Sequence, residues 1–319
     1  MHIETLYFLF FAFLIAVSGK FVVQALMRVS RYLGWKEFVV AFFVMAFAAS
    51  LPNFFVGISS AFRGIPELSF GDVAGNNLVA LTLAVGLAVL FAPERAIPVE
   101  SRTVRATSIF TLAAALLPLV LTLDGSLSRI DGVLLIGLFI LYISWLFSKQ
   151  ERFVKVYNEY RPPAFKGFKI FIKDLGKIIL GVFLLLLASQ RIVTYAQFFA
   201  ENLGVSIILI GVLITGFGNA LPEVYFAIAT ARKGETWMIL GDLMGAVIVP
   251  TTLVLGVVAL INPIEIIDFG PFAIARFFLI ISSLFFLFFV RTHHKITLKE
   301  GLFLLGTYFA FLLVEIFTK

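Results

Sequence analysis

Two stretches, AASLPN at 48–53 and GNALPE at 218–223, each set a Leu-Pro pair inside an apolar run, the first ending on Asn53 and the second on Glu223. Glu223 is the residue best equipped for chemistry. A carboxylate at membrane depth is expensive to keep charged, so it pairs with a cation or exchanges a proton. Asn53 can donate and accept, and it serves either as a hydrogen-bond partner of Glu223 or as a packing amide. Proline removes one backbone donor and obstructs the turn before it, so carbonyls are freed near Pro52 and Pro222 and need a polar partner or an ion. Glu223 and Asn53 therefore form a candidate centre for a transported cation. Ser50 and Asn219, just ahead of the prolines, and Asn76 and Asn77, in GDVAGNN, offer further oxygens. Those same groups would equally satisfy freed carbonyls or bond neighbouring helices.

Other charges have weaker signatures. Asp72 and Asp242 each follow a glycine ahead of an apolar stretch, where Asp is a favourable helix N-cap. The alternative is a pair of acidic entrances that draw cations in from opposite membrane faces. Lys20 lies inside the first apolar run, where it either snorkels to the headgroups or supplies a fixed positive charge near the site. His293 and His294 stand in RTHHK with no third ligand nearby, and no phosphate-cradling loop, zinc spacing or catalytic triad is present. The absence of cysteine excludes disulfides and thiolate sites. These features point to a transporter rather than an enzyme.

The elements that must position these residues are membrane helices. With 61% hydrophobic and 14% charged residues and a mean hydropathy of +1.05, the 319 residues could not form a water-soluble globule without large apolar patches. A spanning helix needs about 20 apolar residues, and ten such runs are centred near residues 15, 48, 82, 114, 139, 182, 217, 249, 280 and 308. The first lacks a basic n-region and a cleavage site, so it reads as a retained helix. The net charge of +6 follows the positive-inside rule and implies no nucleic acid. Alternate connections place 19 of the 25 Lys and Arg on one side, which puts both termini outside the cytoplasm.

Sliding the chain by 170 residues aligns its halves without a gap, and 14 of 44 positions agree between 50–93 and 220–263. Pro52 meets Pro222, Gly64 meets Gly234, Gly71-Asp72 meets Gly241-Asp242, Gly75 meets Gly245 and Gly86 meets Gly256. An odd number of helices per half inverts the second copy, an arrangement typical of secondary transporters with a midplane site. The predicted fold is all-α, ten transmembrane helices in two inverted five-helix repeats, with helices 2 and 7 interrupted at Pro52 and Pro222. Residues 1–148 form the first repeat, 149–169 a basic cytoplasmic linker suited to anionic lipid, and 170–319 the second repeat.

The two segments AASLPNFFVGISSAFRGIPELSFGDVAGNNLVALTLAVG and GNALPEVYFAIATARKGETWMILGDLMGAVIVPTTLVLG carry a resemblance. Their order and spacing are similar to the calcium:cation antiporter superfamily, of the sodium/calcium exchanger type, along essentially the whole chain. Each half of that family carries a GTSLPE-like break followed by a helix opening GN..GSN.FN. The resemblance implies secondary-active cation antiport by alternating access. It also implies that the residue after each proline contributes to cation binding, which falls here on Asn53 and Glu223. The pattern departs at Ala49, Asn219 and Ala220 in the breaks and at Asn76, Ala246, Ala80 and Pro250 in the following helices, so many of the family's oxygen ligands are missing.

Calcium seeks six to eight oxygens, usually with several carboxylates, whereas one acid suits a monovalent ion or a proton. The expected cargo is thus Na+, H+ or Ca2+, with calcium the poorest fit, and no cofactor is expected. A monovalent cation/proton or other-solute antiporter is the alternative on the same fold, and a transport-inactive scaffold is the alternative from another class. The expected partners are the lipid bilayer and small inorganic cations, and the expected location is the plasma membrane of a prokaryote.

Overall fold

The computed structural model describes residues 2–32, 47, 50–99, 102–148, 164–234, 236–266, 269–292 and 294–317, and these are overwhelmingly helical. The helices are α1 (His2–Tyr32), α2 (Leu51–Phe62), α3 (Glu67–Leu78), α4 (Val85–Phe91), α5 (Arg102–Leu121), α6 (Arg129–Ser148) and α7 (Ala164–Leu203). They continue as α8 (Ile207–Ile210), α9 (Gly216–Arg232), α10 (Trp237–Val249), α11 (Leu255–Ile261), α12 (Phe269–Arg291) and α13 (Leu298–Phe317). One widened π turn joins α3 to α4 (Val79–Ala84), another α8 to α9 (Gly211–Thr215), and a third α10 to α11 (Pro250–Val254). Each of these pairs is thus one rod with a local change of pitch, a feature frequent at functional sites.

Among the described residues, eight helical rods are long and apolar enough to cross a membrane. Helix is the form that apolar sequence must take there, because hydrocarbon offers no partner for a backbone donor or acceptor. Each expected run except the one near residue 48 has a described helix across its centre. That run is described only in part, with α2 contributing 12 residues. Burial separates inner from outer rods: 83% of the apolar window in Glu67–Phe91 and 78% of that in Ile239–Ile261 is buried, against 28% in Arg129–Ser148 and in Leu298–Phe317. Large apolar side chains on the outer rods, such as Ile130, Phe13 and Phe317, are exposed, as lipid-facing positions should be.

One sequence expectation about the helices is corrected. Helix α9 runs continuously through Pro222, so the second repeat is not interrupted there. The irregularity falls two to three turns earlier, at the π turn Gly211–Thr215. A single proline withdraws one hydrogen bond, and the residue four places earlier is Gly218, which has no side chain to crowd the ring. Pro52 lies in the first turn of α2, where its missing donor would be unpaired in any case. The 40-residue α7 begins at Ala164, so residues 164–169 of the basic linker are already helical; residues 149–163 lie outside the described set.

The inner rods cross at a glycine-lined contact. A Cβ on Gly71 would lie 2.3 Å from the Ile208 carbonyl oxygen, and one on Gly75 would lie 2.1 Å from that of Val212. From the other side, a Cβ on Gly216 would lie 2.5 Å from the Asp72 carbonyl oxygen. Glycines four apart let α3 sit directly on the α8–α9 rod, and this contact puts Asp72 at the crossing. Two short antiparallel ribbons tie distant loops together. One pairs β1 (Ala96–Pro98) with β4 (Lys295–Thr297), and the other pairs β2 (Ser126–Leu127) with β3 (Ile264–Glu265). Each buries an apolar pair completely, Ile97 with Ile296 and Leu127 with Ile264.

Candidate functional site

Glu223 lies on α9, buried, with its Oε2 enclosed and without a hydrogen-bond partner. Asp242 on α10 is close enough for its charge to act on Glu223. Two carboxyl groups in electrostatic reach inside a low-dielectric bundle call for a cation or a proton between them, since both cannot be charged and uncompensated. Asn219 lies one turn before Glu223 on the same face of α9.

Asp72, fully buried on α3, takes a different environment. Asn53 Nδ2 donates to its Oδ2 at 3.0 Å, and Asn219 Nδ2 donates to its Oδ1 at 2.8 Å. Thr215 lies beside the same carboxylate while its hydroxyl donates to the Gly211 carbonyl at 3.0 Å. Of the two readings of Asn53, the bond to Glu223 is therefore not made: the glycine crossing brings Asp72 between the two segments, and it takes the amide instead. The capping reading of the two aspartates is corrected as well. Asp72 and Asp242 are each the sixth residue of their helices, whose N-caps are Pro66 and Thr236. Helix α3 begins before the apolar run because Pro66 fits a helix start, and α10 likewise begins at Trp237, behind Thr236. Nor does Asp72 form an acidic entrance, because it has no exposed surface.

The remaining candidates divide. Asn76 and Asn77 are buried on α3; Asn76 Nδ2 donates to the Ala246 carbonyl at 2.9 Å and Asn77 Nδ2 to Thr251 Oγ1 at 2.7 Å. Both Oδ1 atoms are enclosed without a partner. Ser50 is buried at the start of α2, and its carbonyl accepts from the Phe54 amide at 2.9 Å. Lys20 is exposed on α1, which fits a snorkelling side chain and removes the internal positive charge from the site. His294 stands by Arg105, whose Nη1 is 2.8 Å from its Nδ1, and His293 lies outside the described residues. Among the described residues no three acids or histidines gather into a metal-binding group.

Sequence reasoning named Asp72 as a cap or an acidic entrance and not as the acceptor for Asn53 and Asn219, and it missed Thr215 beside that carboxylate and Thr251 beside Asn77. A signal for Asp72 was present: the Gly71-x-x-x-Gly75 spacing in an apolar segment marks a close helix crossing, and the acid sits inside it.

The chain matches a family model described as sodium/calcium exchanger protein over residues 3–148 and again over 173–317. It is 27% identical over 269 residues to the putative antiporter CaxA of Alkalimonas amylolytica, covering 82% of each chain. Among solved structures, it is similar to the sodium-calcium exchanger NCX_Mj soaked with Na+ and Sr2+, at 25% identity, a TM-score of 0.66 and 97% coverage of both chains. The H+/Ca2+ exchanger CAX shares the fold at a TM-score of 0.80 and 17% identity, covering 97% of this chain and 82% of that one. With its buried carboxylates at the crossing of apolar rods and the family model spanning both halves, this chain belongs to the sodium/calcium exchanger family of membrane antiporters.

Proposed function

We propose that this chain is a secondary-active cation antiporter that works by alternating access around Glu223. The observation that carries the reading is the buried, unpartnered Oε2 of Glu223 with Asp242 in electrostatic reach. A proton or a monovalent cation bound there offsets one of the two carboxylate charges and a divalent cation offsets both, and exchange of cation for proton is antiport. Asn53, Ser50, Asn219, Asn76 and Asn77 supply neutral oxygens or hold those that do.

The scaffold is read as ten transmembrane helices in two inverted five-helix repeats, 1–148 and 170–319, with 149–169 between them. Several pairings at the 170-residue offset support this. The family model matches twice, on residues 3–148 and 173–317. Gly64 and Gly234 close their helices at φ of +75° and +76°. Asn76 donates to the carbonyl of Ala246, its own counterpart. The location is read as a prokaryotic plasma membrane with both termini outside, following the Lys and Arg distribution.

Geometry favours a second reading of the cargo. Calcium takes six to eight oxygens, usually with several carboxylates, whereas the acids in electrostatic reach here are Glu223 and Asp242, so a monovalent cation exchanged for protons is the second reading. Reconstituted protein assayed for Na+, Ca2+ and H+ flux under imposed gradients distinguishes the readings. Glu223→Gln is expected to abolish the flux of whichever cation the native chain carries. Calcium flux sensitive to this substitution supports the sodium/calcium type, and Na+ or H+ flux alone supports the monovalent reading. No flux with any of the three leaves an inactive scaffold.

A further inference from the structure

We infer that Asp72 is a positioning residue: by accepting from both Asn53 and Asn219, it fixes the side-chain carbonyls of two segments that belong to different halves of the chain. An ionised carboxylate can only accept, so an amide facing it must present its N–H end. Asn53 Nδ2 at 3.0 Å and Asn219 Nδ2 at 2.8 Å occupy the two oxygens separately. Because an amide is planar with its oxygen on the other arm, each Oδ1 is turned away from Asp72. For Asn219 that oxygen is carried on the face of α9 that also carries Glu223, one turn on. Asn53 sits at the position matching Glu223 in the first half.

Each Asp72 oxygen thereby already holds one amide donor, so its charge orients ligands while Glu223 holds the cargo. Nothing else among the described hydrogen bonds links α2 to α9 through a single side chain, and the glycines at 71, 75, 211 and 216 keep Asp72 within reach of both amides. The inference rests on reading Glu223 as the cation-binding group.

The test uses the full chain. Asp72→Asn keeps the shape but can accept from only one amide; the other must rotate and present its oxygen to residue 72, which turns an N–H toward the cation. In liposomes, the half-saturating concentration of the transported cation is expected to rise roughly tenfold or more, as when groups that orient metal ligands are removed, with maximal flux retained. A purely structural role predicts less folded protein but unchanged half-saturation, and that result would overturn the inference.

Melting of the detergent-solubilised protein provides an arm that needs no flux. Asp72→Asn and Asn219→Ala are expected to be non-additive when combined, and additive shifts would overturn the clamp. Should Asp72→Asn fold poorly, Asp72→Asn with Asn53→Asp restores a donor–acceptor pair and the net charge. That protein is expected to recover its melting temperature without recovering native half-saturation, and recovery of both would again count against the inference. Coupled melting with no flux of Na+, Ca2+ or H+ in the native chain would instead defeat the transport reading, leaving Asp72 a tie within the fold.

Discussion

At the scale of single residues, three of the buried acids meet three fates: Glu223 keeps an oxygen without a partner, Asp72 accepts an amide on each oxygen, and Asp174 is neutralised by cations. Arg28 Nε and Nη2 donate to Asp174 at 2.8 and 2.9 Å, and Lys177 Nζ approaches at 3.3 Å. These groups lie beyond the apolar span Ile3–Leu26, and the Arg28 guanidinium holds the Asp174 carboxyl below its ordinary range. A lowered carboxyl pKa contributes stability that is present above the unfolded value near pH 4 and is lost as pH falls through the folded value. Asp174→Asn is thus expected to lose about 1 kcal/mol at neutral pH, a modest figure because Arg28 is partly exposed and screened. Thermal melts of native and variant protein should converge in acid; a gap that persists at low pH would show that the ion pair is not its source. Of the site, Glu223 was legible because an acid inside an apolar run has few bland explanations. Asp72 was not, since a Gly-Asp pair before an apolar stretch looks like a cap until the true helix start, at Pro66, is known.

At the scale of elements, the π turns and glycine contacts do what the prolines were expected to do. Sequence located nine of the ten apolar runs well, because spanning length and hydropathy are set by the bilayer itself. It misplaced the irregularity in α9 by reading Pro222 as a break, when a proline next to Gly218 can be absorbed by a helix already widened upstream. The crossing of α3 over the α8–α9 rod depends on glycine at 75: a Cβ there would lie 2.1 Å from one backbone oxygen and 2.8 Å from a backbone carbon. Neither atom can rotate away, so Gly75→Ala must push the two rods apart. A loss of roughly 3 kcal/mol is expected from such overpacking, together with loss of flux as Asp72 is drawn away from Asn219. Gly137→Ala, whose Cβ would meet nothing within 4 Å, is the control and should melt like the native protein.

At the scale of the whole molecule, two large apolar cores and a small third one around Ala114, Tyr142 and Ile248 divide the bundle. One gathers Phe8, Ile15 and Val22 of α1 with Leu185, Ile192 and Phe199 of α7. The larger joins inner rods such as α3, α9 and α10 to α12 and α13 through Leu81, Val224, Met244, Phe286 and Phe311. Alternating access, as proposed, requires one body to move against the other, and the ribbons offer a place to test which parts stay together. The β2–β3 pair links the loop after α5 to the loop after α11, with Ser126 opposite Glu265 and with Leu127 and Ile264 buried beneath. If those loops belong to one rigid body, joining them covalently changes nothing in the cycle. The chain has no cysteine, so Ser126→Cys with Glu265→Cys creates a single pair, and facing strand residues about 4.5–5.5 Å apart at Cα fall within disulfide range. Oxidation should leave flux in liposomes at the level of the reduced protein. A fall on oxidation that a reductant reverses would show instead that the ribbon opens during transport, and that the moving boundary runs between α5–α6 and α11–α12.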